Sequence, residues 1–131
     1  MNLLLDTHIW IWNHLEPWRI SSEVVREMGD PANELWLSPI SIWELVLLVE
    51  KKRLELHHDM GEWVNQSMKE LSLQEASFTS AVAHELRFTL LGYKDPGDRF
   101  LVATARVYDL TLVTADERLL RIPDLRLLPN R

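Results

Sequence analysis

Short apolar runs alternate along this chain with longer segments of helical periodicity. Short apolar runs predict strands at NLLL (2–5), ELWLS (34–38), TLVT (111–114) and LRLL (125–128), and the alternating segment LSLQ (71–74) predicts another. Helical periodicity predicts helices at THIWIWNH (7–14), SSEVVREM (21–28), SIWELVLLVEKKRL (41–54), residues 59–70, SFTSAVAHELRF (77–88), DRFLVATARVYD (98–109, opened by Asp95-Pro96) and ADERLLRI (115–122). Residues 91–94 are predicted to form a loop. Alternation of strands and helices predicts an α/β fold, with a mostly parallel sheet covered by helices on both faces.

Length and composition limit the class of protein. A chain of 131 residues suits a single domain, 1–131, and a hydrophobic content of 47% is enough to fill one core. No apolar run is long enough to span a membrane, and no secretion signal is visible at the N-terminus. Cysteine is absent, which excludes disulfides, thiol catalysis and cysteine-based zinc sites and fits a cytoplasmic protein.

Charge is unevenly distributed along the sequence. The net charge is −6, which counts against a simple nucleic-acid coat protein. Acidic residues exceed basic ones fourteen to six over residues 1–86, whereas basic residues exceed acidic ones eight to six over residues 87–131. This is either ordinary surface charge or a basic rim beside an acidic site.

Four acidic residues occupy equivalent positions in the predicted fold. Asp6 and Asp116 follow the strands NLLL and TLVT, and Glu44 and Asp98 are expected in the first turns of two helices. Strand ends and the following helix starts meet at one edge of a parallel sheet. We therefore expect the four carboxylates to lie at that edge.

Each of these acids also has a structural explanation. Ser41 and Glu44 fit a capping box, Asp95 and Asp98 fit a capped helix start, and the others could cap the helices that follow them. The set of four is different, because clustered carboxylates repel one another unless a cation lies among them. Oxygen ligands without cysteine suit Mg²⁺ or Mn²⁺. Such a site hydrolyses phosphate esters without a protein nucleophile, and no serine triad, P-loop or dinucleotide fingerprint is visible.

The order and spacing of four motifs resemble the PIN domain, and within it the VapC-type toxins of toxin–antitoxin pairs. The motifs are LLLDTHIWIW, SPISIWEL, DPGDRFLVATA and LVTADERL, and the resemblance covers essentially the whole chain. It implies a three-layer α/β/α fold and an Mg²⁺- or Mn²⁺-dependent ribonuclease that acts on RNA, forms a homodimer and is inhibited by a small antitoxin.

Site residues follow from that resemblance motif by motif. The acids that would bind metal and carry catalysis are Asp6, Glu44, Asp98 and Asp116. Thr7 and Thr114 are similar to the polar neighbours that support such a site, and Asp95 is an additional acid that a helix cap also explains. Arg99 either contacts RNA phosphate or, as we favour, pairs with a nearby acid.

Three other functions fit parts of this sequence. An aspartyl-phosphate phosphatase would need a second aspartate at position 8, which is histidine, and a late lysine, whereas none follows Lys94. A non-catalytic PIN-like binding module would have no need of all four acids. A housekeeping RNA-processing nuclease without an antitoxin has the same site, and the absence of a further RNA-binding domain favours a toxin.

Aromatic and apolar residues outside the motifs predict packing and contacts. Trp10 and Trp12 are two positions apart on one helix, so one is expected in the core and the other at an interface. The helix that contains SIWELVLLVEKK is apolar all round, so the sheet should cover one side and a second chain or an antitoxin the other. The sequence does not tell whether His8 contacts the site.

Overall fold

The computed structural model describes residues 1–89 and 95–131, which contain five strands and six α-helices. The strands are β1 (Asn2–Leu5), β2 (Glu34–Leu37), β3 (Gln74–Glu75), β4 (Thr111–Thr114) and β5 (Leu127–Pro129). The helices are α1 (Thr7–Leu15), α2 (Ser22–Gly29), α3 (Pro39–Glu50), α4 (Met60–Glu70), α5 (Ser80–Glu85) and α6 (Pro96–Tyr108), with 3₁₀ turns at Pro17–Arg19, Leu86–Phe88 and Leu119–Arg121. In this part of the chain no helix is long and apolar enough to cross a membrane.

The strands form one parallel sheet in the order β3-β2-β1-β4-β5. β1 is central, with Leu3 opposite Leu35 on one side and opposite Thr111 on the other. Its run of three leucines is fully buried, as expected for a strand covered on both faces. The last pair in the β1–β4 register is Leu5 and Val113, so Asp6 and Thr114 emerge side by side at the carboxyl edge.

Side chains of β1 alternate between two hydrophobic layers. Leu3 and Leu5 pack with Trp10, Val24, Leu45 and Val64 from α1 to α4, and Leu4 packs on the other face with Leu101, Val102 and Ala105 of α6. The sheet therefore has helices on both faces, and the predicted three-layer α/β/α architecture is confirmed.

Two predicted boundaries were wrong, and a third prediction cannot be compared with the structure. α3 begins at Pro39 rather than Ser41, because the Ser38 hydroxyl accepts a hydrogen bond from the Ile40 N–H and caps the helix. β3 is confined to two residues and does not cover LSLQ, since Leu71 caps α4 and Ser72 takes a positive φ of 49° that is incompatible with a strand. The predicted loop at 91–94 lies outside the described residues.

Asp116 does not begin an α-helix. Its Oδ1 accepts a hydrogen bond from the Arg118 N–H at 2.9 Å, which closes a tight turn in place of a helical start. One 3₁₀ turn, Leu119–Arg121, follows, and Pro123 comes soon after it.

α3 leaves much of its apolar surface incompletely covered. Leu45 is buried, whereas Val46, Leu47, Leu48 and Val49 are half-buried. Trp43 is 48% exposed. In α1, Trp10 is fully buried and donates from Nε1 to Ser67 Oγ, while Trp12 is half-buried with the Arg19 guanidinium stacked on it.

Candidate active site

Asp6 is held by a side chain of the neighbouring central strand. Its backbone N–H donates to Val113 O at 3.0 Å, and its carboxylate Oδ2 accepts a hydrogen bond from Thr114 Oγ1 at 2.6 Å. Asp6 occupies the N-cap position of α1, but its carboxylate makes no capping hydrogen bond. The acid is therefore buried at the sheet edge without a helix-capping role.

Glu44 lies in the second turn of α3, not in its first turn as predicted. Thr7 Oγ1 is 2.8 Å from both Glu44 Oε1 and Ser41 Oγ. A hydroxyl has one proton, so Thr7 donates to the carboxylate and accepts from Ser41. Ser41 thus supports Glu44 through Thr7 rather than through the predicted capping box.

Asp98 lies in the first turn of α6, next to Gly97. Asp95 is the N-cap of α6, and its Oδ1 accepts from the Gly97 N–H at 2.9 Å, which leaves the Asp98 carboxylate out of the cap. A Cβ atom at position 97 would lie 3.1 Å from the Glu44 carboxylate. Glycine at this position therefore lets α6 approach the acid on α3.

Asp116 is linked both to Asp6 and to a guanidinium. Its N–H donates to Thr114 Oγ1 at 3.0 Å, so one hydroxyl connects the backbone of Asp116 with the carboxylate of Asp6. Arg118 Nη2 lies 2.9 Å from Asp116 Oδ2 and 3.3 Å from Asp98 Oδ2. Arg118 therefore bridges two of the four acids.

Burial and shared negative charge alter the ionisation of these groups. Burial raises the pKa of Asp6 and of Glu44, and the nearby Asp6 charge raises the pKa of Glu44 further. Burial, followed by the charges of Asp95, Asp6 and Asp116, raises the pKa of Asp98 from 3.8 to about 7. The Arg118 hydrogen bond lowers the pKa of Asp116. The acids thus lie near enough to one another for their charges to interact.

The donor set suits a hard divalent cation. The four acids offer only carboxylate oxygens, which Mg²⁺ and Mn²⁺ prefer. Burial, and to a smaller extent neighbouring negative charge, raises the pKa of three of them, so a bound cation would stabilise their ionised forms. Within residues 1–89 and 95–131, no three Asp, Glu or His side chains are arranged so that they could hold a metal ion as they stand.

The other predicted residues have different environments. Thr7 and Thr114 each bond one of the four acids, whereas Arg99 donates from Nη2 to the backbone carbonyl of Leu86 at 3.0 Å. Its observed contact is not with a carboxylate, so the favoured pairing of Arg99 with an acid was wrong. Arg118, which the sequence analysis did not single out, makes that contact. The only indication in the sequence is a cation two positions after Asp116.

A groove of about 340 Å³ runs beside Glu44. Thr7, His8, Trp43 and Asp95 line it together with two cations from the end of α3 and the turn after it, Lys51 and Arg53. His8 is exposed and its charge lowers the pKa of Asp6, so it lies at the rim of the site. Lys51 and Arg53 belong to residues 1–86, in which acidic residues outnumber basic ones. A basic rim was expected instead from residues 87–131.

Comparisons with known proteins show which family the sequence matches. Residues 3–125 match the sequence model of the PIN domain. The chain is 32% identical over 120 residues to Ribonuclease VapC22 of Mycobacterium tuberculosis (strain ATCC 25618 / H37Rv), covering 89% of this chain and 88% of the relative.

Two solved structures share the fold at lower identity. A chain of VapBC2 from Rickettsia felis, bound to a DNA fragment from their promoter, superposes with a TM-score of 0.71 at 18% identity, over 100% of both chains. A chain of a toxin–antitoxin complex from Klebsiella pneumoniae gives a TM-score of 0.63 at 21% identity, over 96% of this chain and 95% of that one.

Proposed function

This chain belongs to the PIN domain family, and we propose that it is a divalent-metal-dependent endoribonuclease, the toxin of a toxin–antitoxin pair. The observation that carries the proposal is the set of four acids at the carboxyl edge of β1 and β4, three of them with raised pKa values. The similarity to Ribonuclease VapC22 supports RNA as the substrate.

The residues of the site would have distinct roles. Asp6, Glu44 and Asp98 would hold Mg²⁺ or Mn²⁺, and Asp116 would complete the site or hold a second ion. Such an ion lowers the pKa of a water and stabilises negative charge on the phosphate. Thr114 fixes the Asp6 carboxylate and Thr7 fixes that of Glu44, so that each acid offers a defined oxygen to the cation.

RNA would approach through the groove beside Glu44. Lys51 and Arg53 supply positive charge there against an overall charge of −6, and they would contact backbone phosphates on either side of the scissile bond. Trp43 and His8 on the same groove offer ring faces to unstacked bases.

Protein partners would cover the apolar surface of α3. Trp43 also borders an apolar groove of about 270 Å³, lined by Pro39, Ile40, Phe78 and Phe100. We propose that a second copy of the chain packs here to form a homodimer. A small antitoxin is proposed as the other partner, in line with the toxin–antitoxin complex that shares the fold, and the cytoplasm as the place of action.

Cleavage of RNA by the purified protein tests the proposed function. We expect cleavage of total cellular RNA with Mn²⁺ or Mg²⁺, none with EDTA, and none with Asp98→Asn. Asp109→Asn is the matched control, because Asp109 ends the same helix, is exposed and pairs only at the surface with Arg126.

The chemistry of the cut ends provides a second test. Attack by water leaves a 5′-phosphate and a 3′-hydroxyl, and end mapping should find these. A 2′,3′-cyclic phosphate product, or equal cleavage in the presence of EDTA, would overturn the proposal.

A further inference from the structure

Arg118 holds both carboxylates on one side of the candidate site. Its Nη2 contacts Asp98 at 3.3 Å and Asp116 at 2.9 Å, and its Nε donates to the other oxygen of Asp116 at 3.2 Å. The fork thus faces both oxygens of Asp116 and one oxygen of Asp98. These are oxygens that a cation at the site would need.

The Arg118 guanidinium is the most exposed member of this group. The Arg118 side chain is 56% exposed, whereas those of Asp98 and Asp116 are 12% and 26% exposed. A separate hydrogen bond, from the Arg118 backbone N–H to Asp116 Oδ1, maintains the turn without the guanidinium. The guanidinium can therefore move into solvent while the two carboxylates and the turn stay in place.

From this geometry we propose that Arg118 is a built-in counter-cation, which neutralises Asp98 and Asp116 in the metal-free protein and leaves them when a divalent cation binds. The inference rests on the proposed function, because it assumes that these acids are metal ligands. Arg118 is accordingly a positioning residue: it offsets the repulsion between Asp98 and Asp116 and holds both carboxylates until metal displaces it.

Removal of an ordinary supporting residue weakens metal binding. Removal of Arg118 should have the opposite effect, because the metal ion has to displace it. A guanidinium has donors and no acceptors, so it cannot share a carboxylate oxygen with a metal ion without like-charge repulsion. Breaking its two ion pairs opposes metal binding. Removal of the side chain should therefore tighten binding, although it removes a contact from the site.

Calorimetric titration of the metal-free full chain with Mn²⁺ tests the proposal. Arg118→Gln should bind Mn²⁺ on the order of tenfold more tightly than wild type, the range expected for two partly exposed ion pairs. Arg131→Gln is the matched control, since Arg131 forms a surface pair with Glu117 at 3.1 Å and should leave the affinity unchanged. Equal or weaker binding by Arg118→Gln, with wild-type binding intact, overturns the inference alone.

Failure of the proposed function gives a different result. If neither wild type nor Arg118→Gln binds Mn²⁺, the metal site itself is refuted and the inference falls with it. If Arg118→Gln binds Mn²⁺ and wild type does not, the result supports the proposal, because Arg118 then prevents metal binding altogether.

A second measurement follows the Arg118 side chain directly in the wild-type protein. The Arg118 side-chain Nε–H signal in a ¹⁵N spectrum, identified by its loss in Arg118→Gln, should shift and exchange faster with water at saturating Mg²⁺. The Arg131 signal should not change. An Arg118 signal that is unaffected by Mg²⁺ bound at the site would overturn the proposal.

Discussion

Asp98 is an aspartate that titrates near neutrality, and this gives the metal-free protein an unusual pH dependence. Its pKa rises from 3.8 to about 7 on folding because it is buried beside three other acids. A raised folded pKa contributes stability that is present below pH 3.8 and is lost as pH rises through 7. We expect the free energy of unfolding in EDTA to fall between about pH 4 and pH 7, by at most about 4 kcal/mol, and to level off at higher pH.

Urea unfolding curves at several pH values measure this slope. Asp98→Asn, which cannot ionise, should flatten most of it. Asp116→Asn should flatten it much less, because the Asp116 charge is the smallest of the causes that raise the pKa of Asp98, and the Arg118 hydrogen bond lowers the pKa of Asp116 itself. An unchanged slope in Asp98→Asn would show that other groups cause the effect.

Thr114 controls the most buried carboxylate of the site. Its hydroxyl donates to Asp6 and accepts from the Asp116 N–H, and the bond to Asp6 lowers the pKa of that acid. Thr114→Val keeps the shape but removes both bonds, so Mn²⁺ affinity and RNA cleavage should each fall by roughly ten- to a hundredfold, the value of a hydrogen bond to a charged group.

Thr111→Val on the same strand provides the comparison for this experiment. Thr111 is buried at the opposite end of β4, so its substitution should leave metal binding unaltered. Wild-type metal affinity in a folded Thr114→Val protein would contradict the assigned support of Asp6.

At the scale of elements, the close approach of α6 to α3 depends on Gly97. An added Cβ would lie 3.1 Å from the Glu44 carboxylate, so Gly97→Ala must push that group away by a few tenths of an ångström. We expect metal affinity, measured calorimetrically, to weaken several-fold. Gly29→Ala is the control: a Cβ there meets no atom within 4 Å, and the helical alanine should stabilise α2 by up to about 1 kcal/mol.

Both glycine variants should remain folded. A weaker metal affinity in Gly97→Ala can then be assigned to displacement of Glu44 and not to loss of the native fold. Thermal unfolding checks this requirement. Unaltered metal affinity in Gly97→Ala would show that the Glu44 carboxylate is not a ligand or moves without cost.

Element boundaries show where sequence patterns were sufficient. The apolar runs NLLL and TLVT predicted the two central strands because each is buried on both faces and nothing competes with that pattern. Where the predicted boundaries were wrong, local hydrogen bonds set the actual ones. Ser38 rather than Ser41 caps α3, and the turn closed by Asp116 replaces a helix. Which of these two serines caps the helix depends on where the chain leaves the sheet. Sequence periodicity carries no information about that position.

The site was predictable in outline for a related reason. Strand polarity brings Asp6 and Asp116 to one edge whatever the loops do. The contacts of Arg99 and Arg118 were not predictable, because both are long side chains whose direction depends on packing between elements distant in sequence. Arg99 turns to Leu86 and Arg118 to Asp98.

For the whole molecule, the uncovered apolar face of α3 predicts self-association. Trp43 is 48% exposed and adjoins Ile40, Phe78 and Phe100. If this face forms the homodimer, Trp43→Ala should raise the dissociation constant at least about tenfold in sedimentation equilibrium, as for an aromatic residue central to an interface.

Trp18→Ala tests whether any exposed tryptophan would have the same effect. Trp18 is 76% exposed in the turn Pro17–Arg19, outside the apolar groove, and its removal should leave association unchanged. A dimer that is insensitive to Trp43→Ala would place the interface elsewhere.

The position of β1 at the centre of the sheet has a consequence for protein synthesis. β1 is synthesised long before its neighbour β4, which begins at Thr111, and Thr114 is the residue that orients Asp6. Pairing over so long a separation is slow and cannot begin until β4 has been synthesised. A chain released before Thr114 therefore lacks the central strand pair, and only a chain that extends past β4 can assemble the site.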